Sequence, residues 1–254
     1  MTNLGVGAPC WADLWTSDVE ASGRFYKEIL GWNALAPSAE FGGYFMFAND
    51  GQPVAGGMGD MGDMKANNSW KIYMATDNIE KVVDIAKANG ATIDAPPMQV
   101  ADLGSQMVMT DPAGATLGAW QAGTFAGFSS IGTPGTPSWF ELNTSNFETS
   151  LEFYQQVFGC TSRLMTTSGD ARYAVLQDSL GRDCAGVAEI DIAVSENGWR
   201  IYFEVEDVDV AVDTVAKVGG SIVEFGSDTE FGRVAEVRDS TGARIKLHSD
   251  TRSA

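Results

Sequence analysis

The sequence predicts an α+β protein of two tandem domains, each built from a strand, a helix and about three strands used twice. Three observations carry this. First, the 254-residue chain repeats itself at an offset of 128, which slips to 129 between Trp70 and Gly90. Trp11-Ala-Asp13-Leu-Trp15-Thr-Ser17 recurs as Trp139-Phe-Glu141-Leu-Asn143-Thr-Ser145, and Phe25-Tyr26 with Gly31 recurs as Phe153-Tyr154 with Gly159. Asp111-Pro-Ala-Gly114 recurs as Asp239-Ser-Thr-Gly242. A repeat of this length marks duplicated domains. Second, each half opens twice with an alternating stretch that gives way to a helical one, at Trp11 and near Lys71, then at Trp139 and near Arg200. Third, 44% of the residues are hydrophobic and 20% charged, enough to bury a core in each half.

The elements follow in order. Trp11 to Thr16 alternates as a half-buried strand does. Ser17 with Glu20 has the spacing of a capping box, so a helix is expected to begin at Ser17 and to end at Gly31 as its C-terminal cap. Ser145, Glu148 and Gly159 repeat the arrangement. Alternating strands around Ile72/Met74 and Ile201/Phe203/Val205 precede helices near 78–89 and 207–218, which stop at Asn89-Gly90 and Gly219-Gly220. Short strands then run to the Asp111 and Asp239 turns and a last strand. The Gly/Thr/Pro/Ser-rich stretch before Pro137 has linker composition, which sets the domains at 1–127 and 138–254 with a linker over 128–137.

The period of two divides each strand into two faces. Ala12/Leu14, Ile72/Met74 and Leu117/Ala119, with Phe140/Leu142, Ile201/Phe203 and Ile245/Leu247, form aliphatic faces suited to carry the helices. The opposite faces collect Trp11, Asp13, Trp15, Lys71, Tyr73 and Trp120 in the first half, and Trp139, Glu141, Arg200, Tyr202, Glu204, Lys246 and His248 in the second. Large aromatics mixed with charges suit a ligand-binding concavity.

Composition narrows the chemistry. Sixteen basic against 34 acidic residues, a net charge of −18, oppose nucleic acid and anionic membranes. No run approaches the 18 apolar residues of a membrane helix. One His excludes any site within the chain made of several imidazoles. Cys10, Cys160 and Cys184 are widely spaced and form no metal-type cluster; they read as reduced thiols, hence a cytoplasmic location. Gly57-Met-Gly59 lacks the context of a dinucleotide fingerprint, and no cofactor is expected.

The four-fold strand-helix-strands pattern, the Trp11/Asp13/Trp15 signature running through Phe25-Tyr26 to Gly31, and Asp111-Pro-Ala-Gly114 resemble the vicinal oxygen chelate superfamily. That group holds glyoxalases, bleomycin-resistance proteins and extradiol dioxygenases. The resemblance implies paired βαβββ modules in each domain, forming a curved, mostly antiparallel sheet, a cup, with helices on its outer face. It also implies metal-ligand positions, which fall on Trp11, Lys71 and Gly118 in the first domain and on Trp139, Arg200 and Lys246 in the second. None of these side chains ligates a metal under ordinary conditions, so no metal site is expected.

The resemblance together with the lost ligands implies sequestration of a small organic molecule, as in bleomycin resistance. The ligand would be cationic or aromatic, held by Trp11, Asp13, Trp15, Lys71, Tyr73, Trp120, Trp139, Arg200, Tyr202 and Lys246. The alternative is a glyoxalase-like lyase or isomerase acting on an aldehyde or hemithioacetal, with Glu141, Glu204 or His248 moving the proton; the single His argues against a dioxygenase. A third reading is a structural or interaction protein whose cups are filled by its own side chains. The denser polar set favours the second cup for chemistry. The protein is expected as a monomer or homodimer.

Overall fold

The computed structural model describes residues 4–165, 172–193 and 195–250. Sixteen strands and four helices are present among them, in two eight-stranded sheets. In the first half these are β1 (Pro9–Trp15), α1 (Val19–Leu30), β2 (Asn33–Ala34), β3 (Phe45–Asn49), β4 (Gln52–Met58), β5 (Ser69–Thr76), α2 (Ile79–Ala88), β6 (Thr92–Val100), β7 (Gly104–Thr110) and β8 (Thr116–Ala122). The second half repeats the order with β9 (Pro137–Thr144), α3 (Phe147–Phe158), β10 (Thr161–Met165), β11 (Tyr173–Gln177), β12 (Asp183–Glu189), β13 (Gly198–Glu204), α4 (Val208–Val215), β14 (Ser221–Thr229), β15 (Gly232–Arg238) and β16 (Arg244–Ser249). A 3-10 turn, Ala216–Val218, extends α4 to Gly219. The predicted α+β class and the four βαβββ units are observed.

Both sheets have one topology, β2-β3-β4-β1-β5-β8-β7-β6 and β10-β11-β12-β9-β13-β16-β15-β14. The two modules of each domain join at their opening strands, which pair antiparallel, while the flanking pairs β1–β4 and β5–β8 are parallel. Each helix buries one stripe. Ser22, Phe25, Tyr26, Ile29 and Leu30 of α1 recur at helical spacing and are buried, and the apolar four share one core cluster with Ala12, Leu14 and Ile72 of the sheet.

The helix starts differ from the capping boxes expected at Ser17 and Ser145. The N-cap of α1 is Asp18, whose carboxylate accepts from the Ala21 N–H, while the Ser17 N–H is held by Asn68 Oδ1. In α3 the N-cap is Asn146, and its side chain makes no capping bond. The reason is local in both copies. Thr16 and Thr144 hydroxyls accept the N–H two residues on and lie 2.7 and 2.8 Å from Ser22 and Ser150, which carries the turn one residue further. The C-terminal caps are as expected, with Gly31 and Gly159 at φ 73° and 68°, a left-handed conformation that glycine adopts without strain.

The helix-bearing faces of the two sheets meet, α1 against α4 and α2 against α3. Trp32 and Trp70 pack on Phe203 with ring centroids 5.1 and 5.4 Å apart. Tyr26 donates its hydroxyl to Asp239 Oδ2 of the other half at 2.9 Å and accepts from Trp70 Nε1 at 2.8 Å. Tyr154 does the same to Asp111 Oδ2 at 3.0 Å and accepts from Trp199 Nε1 at 2.9 Å. Each aspartate also holds the backbone N–H groups of its own turn, so one carboxylate ties a β-turn to the opposite domain. The other face of each sheet is left turned away from this seam.

Candidate functional site

In each outward face the same four side chains meet. In the first, Trp11 and Asp13 come from β1, Tyr44 from the residue before β3, and Tyr73 from β5. Pairing sets Trp11 opposite Tyr73, and Asp13 opposite both Lys71 and Gly56. The Trp11 N–H lies 3.0 Å from Asp13 Oδ1 and 3.0 Å from the Tyr44 hydroxyl, which donates to the same Oδ1 at 2.7 Å. Tyr73, opposite Trp11 on β5, lies near enough to Asp13 to favour its anion. Gly56 is needed here because a Cβ would coincide with the Tyr44 hydroxyl and Asp13 Oδ1. In the second face Trp139 donates to the Tyr173 hydroxyl at 3.1 Å, Glu141 lies beside Tyr173 and Tyr202 and disfavours their anions, and Gly186 leaves the room that Gly56 leaves.

Beyond Asp13 against Glu141, the two copies part beside the acid, at the strand position next to the second tyrosine. In the second, Lys246 Nζ lies 2.8 Å from Glu141 Oε1, 2.8 Å from the Tyr202 hydroxyl and 4.7 Å from the Tyr202 ring centroid. The counterpart of Lys246 is Gly118, paired with Tyr73 as Lys246 is with Tyr202. The Tyr73 ring rests on the Gly118 backbone, and no protein ammonium ion-pairs with Asp13 among the described residues. Asp13 is 6% exposed, and burial pushes its carboxyl above the usual range against the lowering pull of Tyr44, Tyr73, Lys71 and Trp11.

A cavity of about 730 Å³ opens above Asp13 in the first cup, inside the range of small-molecule sites. Trp11, Tyr44, Phe45, Tyr73, Trp120 and Phe125 wall it, with Met46, Met58 and Met98. Trp11 meets Phe125 edge-on at 4.8 Å, and Trp120 is held by its N–H on the Phe125 carbonyl at 2.9 Å. The charged side chains lining it are Asp13 and Glu40.

The remaining candidates divide by cup. Trp15 and Lys71 are not in the cavity wall; Lys71 Nζ sits 4.7 Å from the Trp15 ring centroid. Burial pulls the Lys71 ammonium below its ordinary pKa, opposed by Asp13 and Asp94. In the second cup Arg200 lies 3.4 Å from Glu236, which Arg244 approaches to 2.8 Å, and Arg200 also donates to the carbonyls of Trp199 and Glu196. His248 Nδ1 is 2.7 Å from Glu204, and Nε2 is 2.8 Å from the Phe231 carbonyl. Ligand atoms of Glu204, His248 and the exposed Asp250 lie within 4.8 Å of one another. The cup with more polar residues thus engages them with each other, and the large cavity lies in its neighbour.

Tyr44 and Tyr173 were missing from the sequence-based set, as were the cavity methionines and Phe125. A signal existed for the tyrosines: they recur with the repeat, and each faces a glycine of a later strand, Gly56 or Gly186.

Residues 10–118 match the model of the Glyoxalase/Bleomycin resistance protein/Dioxygenase superfamily. The chain is 32% identical over 267 residues to the anthracycline biosynthesis protein DnrV of Streptomyces peucetius, covering 97% of this chain and 94% of DnrV. It is 31% identical over 242 residues to CFP32 of Mycobacterium tuberculosis (strain CDC 1551 / Oshkosh), provisionally named a glyoxylase, covering 93% and 92%. Among solved structures it is similar in fold to the Mn(II)-bound glyoxalase from Novosphingobium aromaticivorans, with a TM-score of 0.66 at 15% identity over 97% of this chain and 83% of that one. The 2,3-dioxygenase LapB from Pseudomonas sp. KL28 gives 0.62 at 17%, over 96% and 92%.

Proposed function

The chain belongs to the Glyoxalase/Bleomycin resistance protein/Dioxygenase superfamily, and from that premise we propose that it binds a small, flat, largely apolar organic molecule in its first cup. The observation that carries this is the cavity of about 730 Å³ with aromatic and methionine walls above one buried carboxylate. Aromatic walls hold planar ligands by stacking and edge contacts, about 0.5–1.5 kcal/mol for each ring beyond area burial, and methionine adapts its shape to them. A relative named for anthracycline biosynthesis supports a small-molecule role of this kind.

The binding is proposed to need no metal. The chemistry of the residues at the superfamily's ligand positions does not fit a metal ion. The Trp11 N–H is directed at Asp13 and Tyr44, and Gly118 lies under Tyr73. Trp139 is donated to Tyr173, Arg200 to Glu236, and Lys246 to Glu141. Indole offers a donor only, and both cations repel a metal.

Binding is tested by quenching of tryptophan fluorescence, since Trp11 and Trp120 line the cavity, and by identifying small molecules that co-purify under native conditions. A Phe125→Ala variant is expected to weaken any captured ligand about ten-fold; unchanged affinity overturns the placement in the first cup. About one tightly held divalent ion per domain in purified protein overturns the metal-free reading.

A second reading, a lyase or isomerase of the glyoxalase kind, is favoured by one observation. Asp13 is a buried acid with a raised pKa beside two tyrosine hydroxyls in the cavity wall, a setting for proton transfer. Turnover of methylglyoxal plus a thiol that survives a chelator and is lost in Asp13→Asn would establish it over simple capture. Loss in Glu141→Gln or Glu204→Gln instead would place the chemistry in the second cup.

A further inference from the structure

We infer that the ligand of the first cup is an aromatic amine whose primary ammonium seats on Asp13 and Tyr73, in the role that Lys246 fills on Glu141 and Tyr202 in the second cup. The inference deepens the proposed function and rests on the first cup being the ligand site.

The second cup supplies the template. Trp139, Glu141, Tyr173 and Tyr202 repeat Trp11, Asp13, Tyr44 and Tyr73 in position, and in both cups the indole N–H meets the first tyrosine hydroxyl. There the acid is met by an ammonium at 2.8 Å, which also touches the tyrosine hydroxyl and lies over its ring. The seat therefore offers what an ammonium needs: a carboxylate, a hydroxyl and a π-face. In the first cup the chain stops at Gly118, and the acid faces a cavity.

Charge in that cavity agrees. Among the described residues its lining carries Asp13 and Glu40 and no cationic side chain, and Lys71 is drawn aside over Trp15. Trp11 and Tyr44 both bond Oδ1, which leaves the other carboxylate oxygen for an incoming donor. Burial disfavours the Asp13 anion when the seat is empty, and an arriving cation restores it. The net charge of −18 draws cations toward the protein as a whole.

The test uses three probes of one size: 2-(aminomethyl)naphthalene, 2-(hydroxymethyl)naphthalene and 2-naphthoate. Each is titrated into the full-length protein by calorimetry at pH 7 and at two salt concentrations. The expected order is ammonium, then alcohol, then carboxylate, with the ammonium at least ten-fold tighter than the alcohol. In Asp13→Asn, which keeps an oxygen for Trp11 and Tyr44, the ammonium is expected to lose its advantage over the alcohol. Equal affinity for ammonium and alcohol in the natural protein overturns the inference and leaves the proposed function standing. Preference that persists in Asp13→Asn overturns the seat. Failure of all three probes to bind overturns the proposed function and the inference with it. The comparison of probes in the natural protein stands even if the variant is unstable.

Discussion

Replacing Lys246 by Met removes the ammonium from Glu141 and keeps most of the side-chain volume. The two side chains are 15% and 10% exposed, so the pair is close to fully desolvated, and its Nζ–Oε1 distance of 2.8 Å is that of a charge-assisted hydrogen bond. Removing one member of such a pair strands the other charge and costs about 3–5 kcal/mol. The Tyr202 hydroxyl loses its 2.8 Å partner as well, a smaller loss of roughly 1 kcal/mol. For a chain of this length each kcal/mol lowers Tm by about 2 °C, so the combined loss of about 4–6 kcal/mol is expected to lower it by roughly 8–12 °C. The Glu141→Gln/Lys246→Met double variant should recover about half, because no lone charge remains. Differential scanning calorimetry and urea titration of the natural protein, both single variants and the double variant close the cycle. A loss below about 1 kcal/mol for Lys246→Met, or a coupling indistinguishable from zero, would show that Lys246 and Glu141 form no desolvated ion pair. It would also remove Lys246 as the template for a ligand ammonium.

Three further outcomes follow from the geometry. Tyr26→Phe and Tyr154→Phe each delete a hydroxyl that bridges a buried indole N–H and the other domain's aspartate, and each should cost about 2–4 kcal/mol by urea denaturation. Because the folded-state pKa of Asp13 is raised, its contribution to stability is complete below the unfolded carboxyl pKa and declines as pH rises through the folded value. Asp13→Asn should therefore match the natural protein at low pH and exceed it increasingly as pH rises, read by urea midpoints across that range. Burial, with Asp178 nearby, pushes the Cys160 thiol up to about 12, and burial raises Cys10 and Cys184 too. All three should resist a disulfide reagent at pH 8 until the protein is unfolded; rapid labelling of the native protein would contradict this.

Much of the architecture was legible in the residues because its signals are local or periodic. The offset between Trp11 and Trp139 exposes the duplication, alternation assigns Ala12 and Leu14 to one face and Trp11 and Asp13 to the other, and Gly31 and Gly159 mark helix ends. The cap positions were displaced by one residue because Thr16 and Thr144 compete for the backbone, a contest of hydrogen bonds that a spacing rule does not weigh.

What lies in each cup was decided only by the tertiary structure. Strand pairing between residues far apart in the chain brings Tyr44 over Gly56 to Asp13, and brings Lys246 beside Tyr202 to Glu141. A count of polar groups pointed to the second cup, yet whether a charge faces a ligand or another side chain depends on the length and reach of its neighbour across the sheet. Lysine at one such position fills its cup and neutralises the acid, whereas glycine at the other leaves an acid beneath an open cavity. Periodic and local signals in the residues therefore set the fold and the faces. Packing between distant strands determined which face stayed open.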